Sequence, residues 1–291
     1  MKQTQKNQTM SIVINIFVTI TLLAGCSTTT EKIDFADKSP SPSLFKQAKS
    51  YHDNGFFKLA AVRYQKAAHK GQAAAQNNLG LMYAEGKGVT QNFTKANKWF
   101  RKAAEQGWVD AQYNLARMYH AGKGVSQNLP AAKRWYRKAA KQDDVSAQYR
   151  LGLMYYKGEG VAQNFTQAAK WFHKATRQRH PGAQSGLGQL YYKGQGVKPD
   201  FGRAAYWTRK AAEQGQADAQ NNLGMMYYKG EGVPQNWVLS YQWLSLAAAQ
   251  GEDEAIKGFQ FLINQLSVEQ IISGGRLASE WLKKQASARS N

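Results

Sequence analysis

The chain has 291 residues, with 39 Lys and Arg against 19 Asp and Glu, a formal net charge of +20. A single cysteine excludes an internal disulfide framework and any paired-cysteine zinc or redox site. Six prolines against 26 glycines exclude collagen-like and proline-rich linker classes, and a 43% hydrophobic content argues against wholesale disorder.

At the N-terminus, Lys2 and Lys6 precede an apolar run over residues 11–23. A bilayer-spanning helix needs about 20 apolar residues, so this run is too short to span, and the layout is that of a secretory signal peptide. It ends in Leu23-Ala24-Gly25-Cys26. These four residues resemble the lipobox of bacterial lipoproteins at every position. The resemblance implies a signal peptide over 1–25, a diacylglyceryl group on Cys26, cleavage before it and acylation of the new amine. With Ser27 rather than Asp after the cysteine, it further implies an outer-membrane lipoprotein facing the periplasm; the inner membrane and surface exposure are the alternatives. Residues 26–43 are rich in Thr, Ser and Pro and read as a lipidated, flexible tether.

The remainder repeats with a period of 36. Ala75, Ala111, Ala147, Ala183, Ala219 and Ala255 form one column. Leu79, Leu115, Leu151, Leu187 and Leu223 form a second, and Trp99, Trp135, Trp171, Trp207 and Trp243 a third. Five units therefore run over 75–254 without an insertion, and each reads as two helices. In the first helix, Asp110, Ser146 and Asp218 suit N-caps. Recurrent mid-helix glycines (Gly80, Gly152, Gly188 and Gly224) imply close helix approach, because each costs about 1 kcal/mol in helix propensity. A Gly-x-Gly-Val segment then stops the first helix through a left-handed glycine. The second helix, 94–106 in the first unit, turns Ala96, Trp99, Phe100, Ala103 and Ala104 inward, so the Trp column is expected between units. A partial unit precedes the array over 44–74. A degenerate unit and a capping helix follow over 255–291, the helix opened by a Ser267/Gln270 capping box and running to about Lys284. Leu244 and Leu246 make the fifth unit more apolar than the others, which fits burial against that cap.

The third unit reads Ala147-Gln148-x-x-Leu151-Gly152-x-Met154-Tyr155-x-x-Gly158-x-Gly160-Val161-x-x-Asn164, then Ala168-x-x-Trp171-Phe172-x-Lys174-Ala175. This pattern resembles the Sel-one-like repeat, a relative of the tetratricopeptide repeat. The resemblance implies an all-α protein, a right-handed α-solenoid of stacked helix–turn–helix repeats. It also implies a scaffold for protein–protein interaction.

No nucleophile elbow, zinc-protease helix or phosphate-binding loop is present, and the Gly-x-Gly pairs lie between helices. None of the five histidines pairs at ligand spacing. No catalytic residue, metal or cofactor is expected. One subgroup of Sel-one-like proteins is described as penicillin-binding and hydrolysing, but its members carry a cysteine pair in each repeat, which this chain lacks.

What remains is surface. In the tetratricopeptide family the concave wall is built mainly from the first helix of each unit. Carried onto this chain, that wall holds Tyr113, Arg117, His120, Tyr149, Tyr156, Gln189, Tyr192, Asn221, Met225 and Tyr228, an aromatic, weakly basic groove. The alternative is that Tyr156, Tyr192 and Tyr228 pack between units. The implied partner is an envelope protein or peptide, acidic if it answers the charge. The rival is an anionic envelope polymer, peptidoglycan or polysaccharide, held by Tyr and by the Lys and Arg of the second helices. The membrane is met through the lipid anchor, and the export signal disfavours nucleic acid.

Overall fold

The computed structural model describes residues 43–290. The expected signal peptide, Cys26 and nearly all of the tether lie outside the described residues. Among these residues there are fourteen helices and no strand. An N-terminal pair, α1 (Leu44–Asp53) and α2 (Phe57–His69), is followed by α3 (Ala73–Glu85) and α4 (Phe93–Glu105). Next come α5 (Val109–Ala121) with α6 (Leu129–Lys141), and α7 (Val145–Lys157) with α8 (Phe165–Arg177). Then follow α9 (Pro181–Lys193) with α10 (Phe201–Glu213), and α11 (Ala217–Lys229) with α12 (Trp237–Ala248). The chain closes with α13 (Asp253–Ile263) and α14 (Val268–Ser290). Up to α13 each helix packs on its neighbours in the chain, while α14 packs back on α12, and this is the all-α solenoid that the 36-residue period implies.

Local chemistry sets the boundaries. The first helix of each repeat stops at Gly86, Gly122, Gly158, Gly194 or Gly230, each in the left-handed conformation. The second starts at Asn92, Asn128, Asn164, Asp200 or Asn236, whose side chain accepts a hydrogen bond from the N–H three residues on. The second glycine of each turn is needed for contact between units: a Cβ on Gly124 would collide with the backbone of Phe93.

Two expectations are corrected. The first helices begin two residues earlier than the cap assignment required. Trp108, Asp144 and Gln216 are the N-caps, while Asp110 and Asp218 lie in the first turn, where a carboxylate favours the helix dipole. Ser146 likewise sits inside α7. The Trp column is only half-buried in the first four repeats. The ammonium groups of Lys102, Lys138 and Lys174 sit 4.8, 4.2 and 5.0 Å from the ring centroids of Trp99, Trp135 and Trp171. The buried column is the next residue: Tyr64, Phe100, Tyr136, Phe172, Thr208 and Leu244. Its rings fill the space left by the mid-helix glycines. A Cβ on Gly152 would lie 2.6 Å from the Phe172 ring.

The capping box forms as expected, but the helix it opens runs on to Ser290, past the expected end at about Lys284. Ser267 N–H donates to Gln270 Oε1 (2.9 Å) and Gln270 N–H to Ser267 Oγ (3.3 Å), which opens α14. In place of the lysine of earlier repeats stands Leu246, and Trp281 of α14 meets Trp243 edge-on at 6.2 Å.

A glutamine ladder ties the repeats together. Gln76, Gln112, Gln148 and Gln220 are buried, and each donates through Nε2 to the carbonyl eight residues back. Gln106, Gln142, Gln214 and Gln250 donate in turn to the Oε1 of Gln76, Gln112, Gln184 and Gln220, at 2.7–2.9 Å.

Candidate partner-binding face

Counted from Ala111, Ala147, Ala183 and Ala219 as the first residue of each unit, the third, seventh and tenth residues lie on one face of α5, α7, α9 and α11. On α5, the Arg117 guanidinium is exposed and lies 5.8 Å from the Tyr113 ring centroid. His120 faces Glu159 of the next turn, Nε2 to Oε2 3.7 Å, and its buried Nδ1 has no hydrogen-bond partner among the described residues. On α7, Tyr149 is half-buried against Phe172 and His180, and its burial raises the phenol pKa. Tyr156 donates from its hydroxyl to Gln189 Oε1 (2.8 Å) on α9. Tyr192 donates to Glu231 Oε2 (2.7 Å); that bond, then burial, raises its pKa. Tyr228 lies between Trp237 and Phe261. The three tenth-position tyrosines therefore do pack against other rings and across the junctions, while each stays partly exposed. Asn221 contributes a buried Oδ1 without a partner among the described residues, and Met225 is half-exposed.

Two crevices open on this face, one on each side of α11. The first has a volume of about 260 Å³ and joins Gln189, Tyr192 and Met225 to Gly188, Lys193, Thr208, Asn222, Met226, Lys229 and Glu231. The second, of about 350 Å³, joins Asn221, Met225 and Tyr228 to α13 residues including Gly258, Phe261 and Leu262. Five of the ten expected residues thus line crevices. Tyr113, Arg117, His120, Tyr149 and Tyr156 belong to the open stretch of the same face, towards the N-terminal end. Thr208 was legible in sequence as a break in an aromatic column; Lys193, Asn222 and Lys229 carry no pattern of their own.

The second helices present the opposite chemistry. On α6 and α8, Lys133, Arg134, Arg137, Lys138, Lys141, Lys170, Lys174 and Arg177 stand without one carboxylate on either helix. None of the eight has an ion-pair partner among the described residues, and all but Lys133 are exposed. Among the described residues no three His, Cys, Asp or Glu gather as metal ligands would.

Five consecutive 36-residue helix–turn–helix units with glycine-stopped first helices define an α-solenoid repeat protein. Residues 73–108, 109–144, 145–180, 181–216 and 217–252 each match the Sel1 repeat. The chain belongs to the Sel1 repeat family. It is similar to a Sel1 repeat protein from Oxalobacter formigenes, with 31% identity, 83% of this chain and 96% of that one covered, and a TM-score of 0.72. It is also similar to c5321, a protective antigen of uropathogenic Escherichia coli strains displaying an SLR fold. There identity is 29% over 83% of this chain and 60% of that one, with a TM-score of 0.58. No curated protein sequence matches the chain significantly.

Proposed function

We propose that this protein is a lipid-anchored scaffold of the bacterial envelope that holds an acidic segment of a partner protein on the face built from α5, α7, α9 and α11. Sel1 repeat proteins are in general protein-interaction scaffolds. The observation that carries the reading is the pair of crevices flanking Met225, which give an otherwise regular array a place with distinct chemistry. Cys26 supplies the anchor, at the outer membrane and towards the periplasm. Three acyl chains, at about 0.8 kcal/mol per buried methylene, hold it there permanently.

A photoreactive residue placed at Arg117 or Gln189, both exposed, should capture the partner in intact cells. The same residue at Lys133 or Arg134 on α6 should not. Capture from α6 alone would move binding to the other face and sink this reading.

The unpaired cations of α6 and α8 favour a second reading, binding of an anionic polymer. Eight like charges without counter-charges repel one another, and a polyanion removes that cost. Salt-sensitive retention on purified peptidoglycan or polysaccharide, lost when Lys133, Arg134 and Lys138 become Gln, would support it.

A further inference from the structure

The crevice between α9 and α11 exists because one column of the repeat changes. At the position of Tyr64, Phe100, Tyr136 and Phe172, the fourth repeat carries Thr208. Its partner glycine is nonetheless kept. Gly80 faces the Phe100 ring and Gly152 the Phe172 ring, while Gly188 faces the Thr208 hydroxyl and the α10 backbone at Ala204 O and Thr208 N. No ring projects from this position, and beside Gly188 and Thr208 the neighbouring first helices enclose about 260 Å³. That is below the roughly 300–1,000 Å³ of sites for drug-sized ligands and suits a single large side chain.

The lining says what kind. Met225 and Met226 give an apolar wall that adapts its shape to what enters. At the rim stand Lys193, Lys229 and Glu231. The Glu231 carboxylate is already engaged, by the Tyr192 hydroxyl at 2.7 Å and Lys229 at 4.0 Å. Lys193 has no ion-pair partner among the described residues, so the rim keeps a net positive charge.

We infer that the Thr208 gap is a specificity pocket that takes one bulky apolar side chain of the bound partner segment, with a neighbouring carboxylate of that segment answered by Lys193 and Lys229. The inference rests on the reading of the first-helix face as the binding face, and names the determinant within it.

The test begins with a phage-displayed library of random 16-residue peptides selected on the full-length chain in detergent. Selected peptides, made synthetically with a fluorescent label, should share a bulky apolar residue close to an Asp or Glu. In spectra of methyl-labelled methionine, the Met225 and Met226 signals should move on binding while those of the buried Met82 and Met118 stay. Thr208→Phe restores this chain's own repeat pattern and fills the gap. It should melt no lower than the parent and bind the peptides about thirtyfold more weakly, the loss expected of a hot spot. Should that variant fold poorly, Lys193→Glu with Lys229→Glu, two exposed changes, should turn the selected sequences from acidic to basic. Unchanged binding by Thr208→Phe, or a library that yields no binder, overturns the pocket. If the peptides ignore Thr208→Phe but are weakened by Arg117→Ala, the face survives without the pocket. If they ignore both, the face assignment falls as well.

Discussion

The His180 imidazole lies stacked on the ring of Tyr149, centroids 4.3 Å apart and planes 28° from parallel. Tyr149 belongs to α7 and His180 caps α9, so the pair fastens the first helix of one repeat to the first turn of the next. The cap itself requires a neutral ring, because Nδ1 accepts the Ala183 N–H at 3.2 Å. Protonation at Nδ1 would remove the acceptor and set a positive charge at the positive end of the α9 dipole.

A pH dependence follows. Burial holds His180 below its ordinary value of 6.5, and burial with the nearby Arg203 and Arg177 does the same for His173. On acidification the unfolded chain therefore takes up these two protons first. Their contribution to stability is complete above about 6.5 and is lost as pH falls from there through the lower folded values. The melting temperature should decline between pH 7.5 and pH 5. His180→Asn, which keeps a capping oxygen, combined with His173→Asn should flatten that decline; an unchanged slope would mean other groups control it.

Adjacent aromatic positions should behave very differently. Phe172 is fully buried against Gly152, and Phe172→Ala should cost about 3–5 kcal/mol. Trp171 is half-exposed beneath Lys174, and Trp171→Ala should cost about 1–2 kcal/mol, a partial share of a full aromatic burial. Urea unfolding followed by circular dichroism ranks the two, and equal losses would contradict the burial pattern.

At the end of the second helix, most repeats place a glycine with positive φ, as at Gly107 and Gly215. Arg179 adopts the same left-handed conformation, with φ 59°. An L-residue there carries about 1–2 kcal/mol of strain, partly offset by the greater unfolded-state freedom of glycine. Arg179→Gly should therefore raise stability by about 0.5–1 kcal/mol. A lower urea midpoint would show that the Arg179 side chain contributes more than its backbone costs.

Metabolic labelling with a fatty-acid probe tests the anchor. Cys26→Ala should abolish labelling and leave unprocessed precursor. Equal labelling of the variant would remove lipidation from the proposal.

The 36-residue period makes the helices, turns and stacking legible in the sequence, because each depends on a residue type repeated at fixed spacing. Gly86 and Gly88 stop a helix wherever they occur, and Asn92 starts one. The Trp column misled for a physical reason. Periodicity reports that a position is constrained, and Trp135 is constrained by a lysine lying over its ring as well as by packing. The glutamine ladder was equally periodic. Its meaning depends on pairs about 30 residues apart meeting across a repeat junction, which residue type alone does not announce. The candidate face was readable as a set of variable columns on the first helices. Its crevices were not, because they arise from volume missing behind the surface at Thr208.

The closing helix gives the array a polarity. Trp243 and Leu246 sit where an open-ended stack would receive one more repeat, and α14 occupies that place with Trp281. Growth by addition of another molecule is therefore blocked at this terminus. Displacing α14, by truncation before Val268 or by charge at Trp281, should turn a finite rod into a subunit with one adhesive end. End-to-end dimers, visible as a concentration-dependent rise in sedimentation coefficient, would then be its natural product.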